Sequence, residues 1–183
     1  NAAFGYDAAD DASKLYIDAV RAETDPIVLA KMVSVWYTGA RKSERARKVL
    51  VRLLDHSEAR VREETVRRLS DRDVAKEVDG HYELLLGKLD KDSDERVRSQ
   101  ACSGLSATEK EDAIAVFQKY LEASDTANEV KDGCFEGLVA SWVGIPYPKK
   151  PSKAGYELSM KLLEKTPRTD KFPPWRGMSK LNQ

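Results

Sequence analysis

Apolar and small residues recur along this chain in one spacing, which appears four times. Counted from a valine as position zero, they stand at positions four, five and eight, a spacing that follows one face of a helix. We call this pattern the helix-B frame. It predicts four helices, each buried along one side. The four copies are Val28, Met32, Val33 and Trp36; Val61, Thr65, Val66 and Leu69; Val97, Ala101, Cys102 and Leu105; and Val130, Cys134, Phe135 and Leu138.

A second helical stripe precedes each copy of the frame and predicts a partner helix, helix A. Asp25 followed by Pro26 is typical of an N-cap and a first helical residue, and Thr108 with Glu111 has the spacing of a capping box. Because the connections are short and no strand pattern appears, consecutive helices are predicted to be antiparallel neighbours. The stripes are Ala12, Leu15, Tyr16, Ala19 and Val20; Ala46, Val49, Leu50, Leu53 and Leu54; Tyr82, Leu85, Leu86 and Leu89; and Ala113, Phe117 and Leu121.

These pairs predict one domain over residues 1–183, with repeats at about 10–40, 41–72, 78–107 and 108–142. Three prolines in the following linker, 143–153, rule out a continuous helix there. The remaining segment, 154–183, is predicted to cap the last repeat, because the end of a stack of repeats must cover its apolar flank. Its helix would pack through Tyr156, Met160 and Leu163, and its Phe172–Trp175 segment would fold back over it.

An aspartate in the turn between helices A and B, with a basic residue after the first valine of helix B, resembles the HEAT-repeat family in its short bacterial form. The residues that carry the resemblance are Asp25 and Pro26 before Val28; Asp55 with Val61 and Arg62; Asp92 with Val97 and Arg98; and Asp125 with Val130 and Lys131. The resemblance implies an all-α fold, a right-handed α–α superhelix of about four helix pairs plus a C-terminal capping helix. It also implies a structural ladder between units, formed by Arg62, Asp92, Arg98, Asp125 and Lys131. The first repeat departs from the pattern, since Leu29 occupies the basic position.

Chemistry-bearing residues are sparse in this sequence. His56 and His81 lie at repeat boundaries without a second ligand at helical spacing, so we expect no metal site and solvated histidines. Cys102 and Cys134 both fall in the helix-B frame, where we expect them to be reduced core residues on helices too far apart for a disulfide. No nucleophile, phosphate loop or paired acid and base is visible, and we expect no catalytic residues and no cofactor.

The cellular location stays open at this point. The chain begins Asn1-Ala2 without a methionine, which fits either a cleaved leader or the scar of a removed tag. Cytoplasmic and exported locations are therefore both retained.

Two functions are compatible with the sequence. In the first, the chain is a non-enzymatic scaffold that binds a protein or peptide along a groove of helix-B residues at positions two and six of the frame, namely Glu63, Arg67, Ser99, Ser103, Asp132 and Glu136. In the second, it binds nucleic acid, or excises DNA bases, through the basic face of repeat two: Arg41, Lys42, Arg45, Arg47, Lys48 and Arg67. The 31 basic and 31 acidic residues give a net charge of zero, which argues against the second function.

Overall fold

A computed structural model describes residues 14–36, 41–108, 110–143 and 151–165. It divides the chain into two compact units, Asn1–His81 and Tyr82–Gln183, which are treated separately below. The described residues are helical with no strand, so the prediction of an all-α chain is confirmed. The predictions for Ala12, for most of the linker 143–153 and for Phe172–Trp175 concern residues outside the described ranges.

The helices follow one another through short turns. They are α1 (14–22), α2 (Pro26–Val35), α3 (Glu44–Leu53), α4 (Ala59–Leu69), α5 (Arg72–Ala75), α6 (His81–Lys91), α7 (Glu95–Gly104), a 3-10 turn (Leu105–Thr108), α8 (Asp112–Glu122), α9 (Asn128–Val143) and α10 (Lys153–Lys165). The four copies of the helix-B frame begin in α2, α4, α7 and α9; Trp36 follows α2, and Leu105 lies in the 3-10 turn after α7. In the last three copies all twelve frame positions are buried, so the predicted burial of the frame is confirmed there.

The first unit is built on the contact between α2 and α4. Asp25 caps α2 as predicted, because its Oδ1 accepts the backbone N–H groups of Ile27 at 2.8 Å and Val28 at 3.4 Å. The frame of this helix holds only in part. Val33 and Trp36 are buried as predicted, but Val28 is 43% exposed and its neighbour Leu29 is buried instead.

Helix α1 presents only part of its predicted stripe to the core. Val20 is buried, but Leu15 is 73% exposed, and Ile17, which lies outside the stripe, is buried. Tyr16 packs as predicted, since its hydroxyl donates to the carbonyl oxygen of Met32 and its ring lies 5.0 Å from that of Trp36. The prediction for α1 is therefore correct for Tyr16 and Val20 and wrong for Leu15.

The second unit is built on α7 and α9, and here the expectation of reduced cysteines is wrong. Cys102 and Cys134 form a disulfide, with their Cα atoms 4.8 Å apart. The expectation assumed an ordinary spacing of helix axes. Gly133 and Gly137 on α9 let the two helices pack more closely than that. A Cβ at Gly137 would lie 2.9 Å from the carbonyl oxygen of Cys102.

Helix α10 packs on α9 and α8, in part through the residues that the sequence predicts. The Tyr156 ring meets the Trp142 ring of α9 edge to face, with centroids 5.3 Å apart, and Leu163 is half-buried. Met160 is 40% exposed, however, while Leu158 and Ser159 are buried. The hydroxyl of Ser159 accepts a hydrogen bond of 2.9 Å from the indole N–H of Trp142. A small residue at position 159 lets the helices approach closely enough for this polar contact, which the sequence did not predict.

The capping box predicted at Thr108 and Glu111 does not form. Thr108 ends the 3-10 turn, and its hydroxyl donates to the carbonyl oxygen of Leu105 at 2.7 Å. Glu111 is the N-cap of α8 but has helical backbone angles and makes no side-chain capping bond. Thr108 and Glu111 therefore belong to two separate elements, the 3-10 turn and α8, although the sequence pattern treats them as one capping motif.

Candidate interaction surface

The outward side of α2 is apolar. Its buried residues Leu29, Ala30 and Val33 face the core. Ile27 is 63%, Val28 43% and Val35 61% exposed. At 100° per residue these three side chains and exposed Lys31 fall within an arc of about 100°, opposite the buried residues. We call Ile27, Val28 and Val35 the α2 stripe.

Two of the predicted groove residues lie on α4, the helix that packs against α2. Arg67 binds Glu63 at 3.0 Å and Glu64 at 3.3 Å, with its own side chain 49% exposed. These ion pairs lie on a helix adjacent to the stripe.

The other four predicted groove residues lie in the second unit and differ in exposure. Glu136 is exposed, while Ser103 and Asp132 are half-buried. Ser99 is half-buried against α9, since a Cβ at Gly133 would overlap its carbonyl oxygen and meet its Oγ at 2.6 Å. Its side chain lies in the contact between α7 and α9.

Two of the predicted ladder residues, Arg62 and Arg98, bind backbone carbonyl groups that are close to them in the sequence. Arg62 is buried and donates from Nη1 to the carbonyl oxygens of His56 at 2.9 Å and Ser57 at 2.8 Å. Arg98 donates from Nε to the carbonyl oxygen of Leu89 at 2.8 Å. Both arginines thus bind backbone carbonyls at the end of the preceding helix or in the turn, where helix geometry leaves carbonyl oxygens unpaired.

The remaining ladder residues have different surroundings. The carboxylate of Asp92 lies 3.7 Å from Lys88 Nζ and accepts the backbone N–H of Asp94 at 3.1 Å. Asp125 is exposed and Lys131 half-buried. Their linkage between successive repeats stays a prediction.

Acidic partners accompany the basic residues of repeat two. Arg41 lies 3.3 Å from Asp73. The ion pair of Arg47 with Glu77 measures 3.8 Å, and that of Lys48 with Glu44 measures 2.5 Å. With Arg67 bound to Glu63 and Glu64, four of the six basic residues are neutralised locally, while Lys42 and Arg45 are exposed.

The described part of the chain contains no cluster of three or more His, Cys, Asp and Glu side chains that could hold a metal ion. The histidines behave differently from each other. His56 accepts the backbone N–H of Glu58 on Nδ1 at 3.1 Å. His81, expected in solvent, is buried with Nε2 2.8 Å from the carbonyl oxygen of Leu69. The side chain of His81 is therefore part of the packing of the first unit.

Sequence reasoning missed the α2 stripe because α2 carries apolar residues on both sides. The available signal was the composition of Pro26–Val35, which has one charged residue in ten.

None of the helices described is long and apolar enough to cross a membrane. No protein-family model, no curated protein and no solved structure matches this chain.

Proposed function

We propose that the protein is a non-enzymatic interaction module that binds a protein or peptide through the outward sides of α2 and α4. The observation that carries the proposal is the α2 stripe, three large aliphatic side chains held in water on one helix face. Grouped apolar residues of this kind mark interaction surfaces, whereas single ones are ordinary.

The surroundings of the stripe suit a partner that is partly apolar. Lys31 lies within the arc of the stripe, and the Glu63–Arg67 pair lies on the adjacent helix α4. Binding sites for protein segments combine apolar contacts of this kind with polar and charged ones. An amphipathic helix could place its apolar side on the stripe and its polar side against these charges.

The finer architecture in this proposal is a HEAT-like right-handed superhelix. Its support is the recurrence of the helix-B frame, together with equivalent carbonyl contacts of Arg62 and Arg98 in the two units. Stacked repeats of this kind present helix-B residues as an extended binding surface.

Nucleic-acid binding is the weaker candidate. Affinity for a phosphate backbone comes from basic side chains that are available to release counterions. Arg41, Arg47, Lys48 and Arg67 are already paired with carboxylates of the same unit. Binding of DNA that weakens steeply as salt increases would nevertheless favour this function over the proposed one.

A displayed library of random peptides, selected on the purified full chain, tests the proposal. Peptides bound at the proposed surface should lose at least about tenfold in affinity with Val35→Glu, because the charge would be buried in the contact. Leu15→Glu is the matched control, since Leu15 is an equally exposed aliphatic residue on another helix. Peptides that bind both variants equally well, or a selection that yields none, would contradict the proposal.

A further inference from the structure

The disulfide of the second unit joins the interiors of two helices. Cys102 on α7 and Cys134 on α9 are both 0% exposed, and 32 positions separate them in the sequence. Val97, Ala101, Val130 and Leu138 of the same helices are likewise fully buried. The bond therefore lies within the core of the unit.

The close approach of the two helices is a property of the residues around the bond. A Cβ on Gly133, the residue before Cys134, would overlap the carbonyl oxygen of Ser99. One turn later, a Cβ at Gly137 would lie 2.9 Å from the carbonyl oxygen of Cys102. A Cα separation of 4.8 Å, within the range that a disulfide requires, is thus reached by glycines on the facing side of α9.

We infer that Cys102–Cys134 is a permanent structural cross-link, and that the chain matures in a compartment where thiols are oxidised. Persistent disulfides belong to secreted, periplasmic and other oxidising environments, while the cytosol keeps ordinary thiols reduced. The sequence left the location open between cytoplasmic and exported, and the disulfide decides for the exported form.

The bond forms by thiol–disulfide exchange with an oxidised thiol oxidase. One cysteine thiolate attacks the disulfide of the oxidase and gives a mixed disulfide. The second thiolate then attacks the sulfur of the first cysteine and releases the oxidase as a dithiol. The chain loses two electrons and two protons, and the oxidase gains both.

Burial separates a permanent cross-link from a reversible switch. A reductant must bring its thiolate to one of the two sulfur atoms. Since both cysteines are inaccessible, α7 must first separate from α9. A redox switch requires the opposite arrangement, with an accessible sulfur.

The first experiment determines the redox state in cells that make the protein naturally. Free thiols are blocked with iodoacetamide during fractionation and again in denaturant, which exposes buried thiols, and the intact mass of the chain is measured. We expect an unalkylated chain, lighter than the dithiol by two hydrogens, outside the cytosol. A chain alkylated on both cysteines, or an oxidised chain confined to the cytosol, would overturn the inference of an oxidising compartment.

The second experiment measures how fast dithiothreitol reduces the oxidised wild-type chain in native buffer and in denaturant. Reduction should be roughly a hundredfold slower in native buffer, because it waits for the helices to open. Equal rates would overturn the permanent character of the bond. In addition, the Cys102→Ala/Cys134→Ala chain should unfold at a temperature lower by more than about 10 °C. An unchanged midpoint would show that the bond has no structural role.

Discussion

Gly133 of α9 lies directly against the backbone of Ser99 on α7, with no room for a Cβ between them. A backbone carbonyl cannot move aside as the end of a flexible side chain can. Gly133→Ala should therefore lower the free energy of unfolding by at least about 2 kcal/mol, as for other overpacked core positions. Denaturation with urea, followed by circular dichroism, measures this change.

Gly87→Ala is the matched control for that substitution. Gly87 also lies inside a helix, α6, but a Cβ there would meet nothing within 4 Å. Alanine favours a helix over glycine by up to about 1 kcal/mol, so this variant should be more stable than the wild type. If Gly133→Ala and Gly87→Ala lowered the free energy of unfolding by similar amounts, α7 and α9 would not be in close contact.

Leu69 tests the register of the helix-B frame in the first unit. Its side chain is fully buried, so Leu69→Ala should cost about 2 to 5 kcal/mol of unfolding free energy. Leu15→Ala removes the same atoms from a side chain that is 73% exposed, and should change stability by less than about 0.5 kcal/mol. Similar urea midpoints for the two variants would contradict the assigned burial.

The sequence predicts the core of α4 and α7 correctly because polar residues surround the frame in both helices. In α2 both sides are apolar, so periodicity alone does not decide which of the neighbours Val28 and Leu29 is buried. In the structure it is Leu29. Periodicity therefore identifies a buried side most securely where the opposite side is polar.

The disulfide could not be derived from the spacing of frame positions, because that spacing carries no information on the distance between helices. The distance depends on Gly133 and Gly137, which stand four residues apart and flank Cys134 on the packed side of α9. This glycine pair was the signal in the sequence. A similar effect occurs at α10, where a Cβ on Gly155 would lie 2.5 Å from Ser141 Oγ.

Arg98 and Arg67 separate a structural arginine from a surface one. Arg98→Ala leaves the carbonyl oxygen of Leu89 without its 2.8 Å donor and should cost about 1 to 3 kcal/mol. Arg67→Ala removes ion pairs of a side chain that is 49% exposed, which should cost less than about 1 kcal/mol. Urea denaturation of both variants checks the order. A costlier loss at Arg67 would mean that the sides of the helices are wrongly assigned.

Tyr120 predicts how the second unit responds to alkaline pH. Its buried hydroxyl donates a hydrogen bond to Asp90 Oδ1, Lys119 Nζ lies 3.7 Å from the same oxygen, and Arg98 is also close. Burial first, then the hydrogen bond and the charge of Asp90, raise the pKa of Tyr120 from 10.0 to about 12, against a smaller opposite effect of Arg98.

A pKa that is higher in the folded chain than in the unfolded chain means that folding favours the protonated phenol. Its contribution is complete below pH 10.0 and is lost as the pH rises towards about 12. The loss should be on the order of 2 kcal/mol.

Tyr120→Phe isolates this contribution from the other alkaline titrations, including that of Tyr82, whose pKa is also raised mainly by burial. The phenylalanine keeps the ring in the core but has no proton to lose. The difference in unfolding free energy between wild type and variant should therefore change in the phenylalanine's favour between pH 10.0 and about 12. Urea titrations at several pH values across this interval measure it. A difference that stays constant with pH would show that Tyr120 titrates equally in the folded and unfolded chains, and the proposed contact with Asp90 would then have no influence on its ionisation.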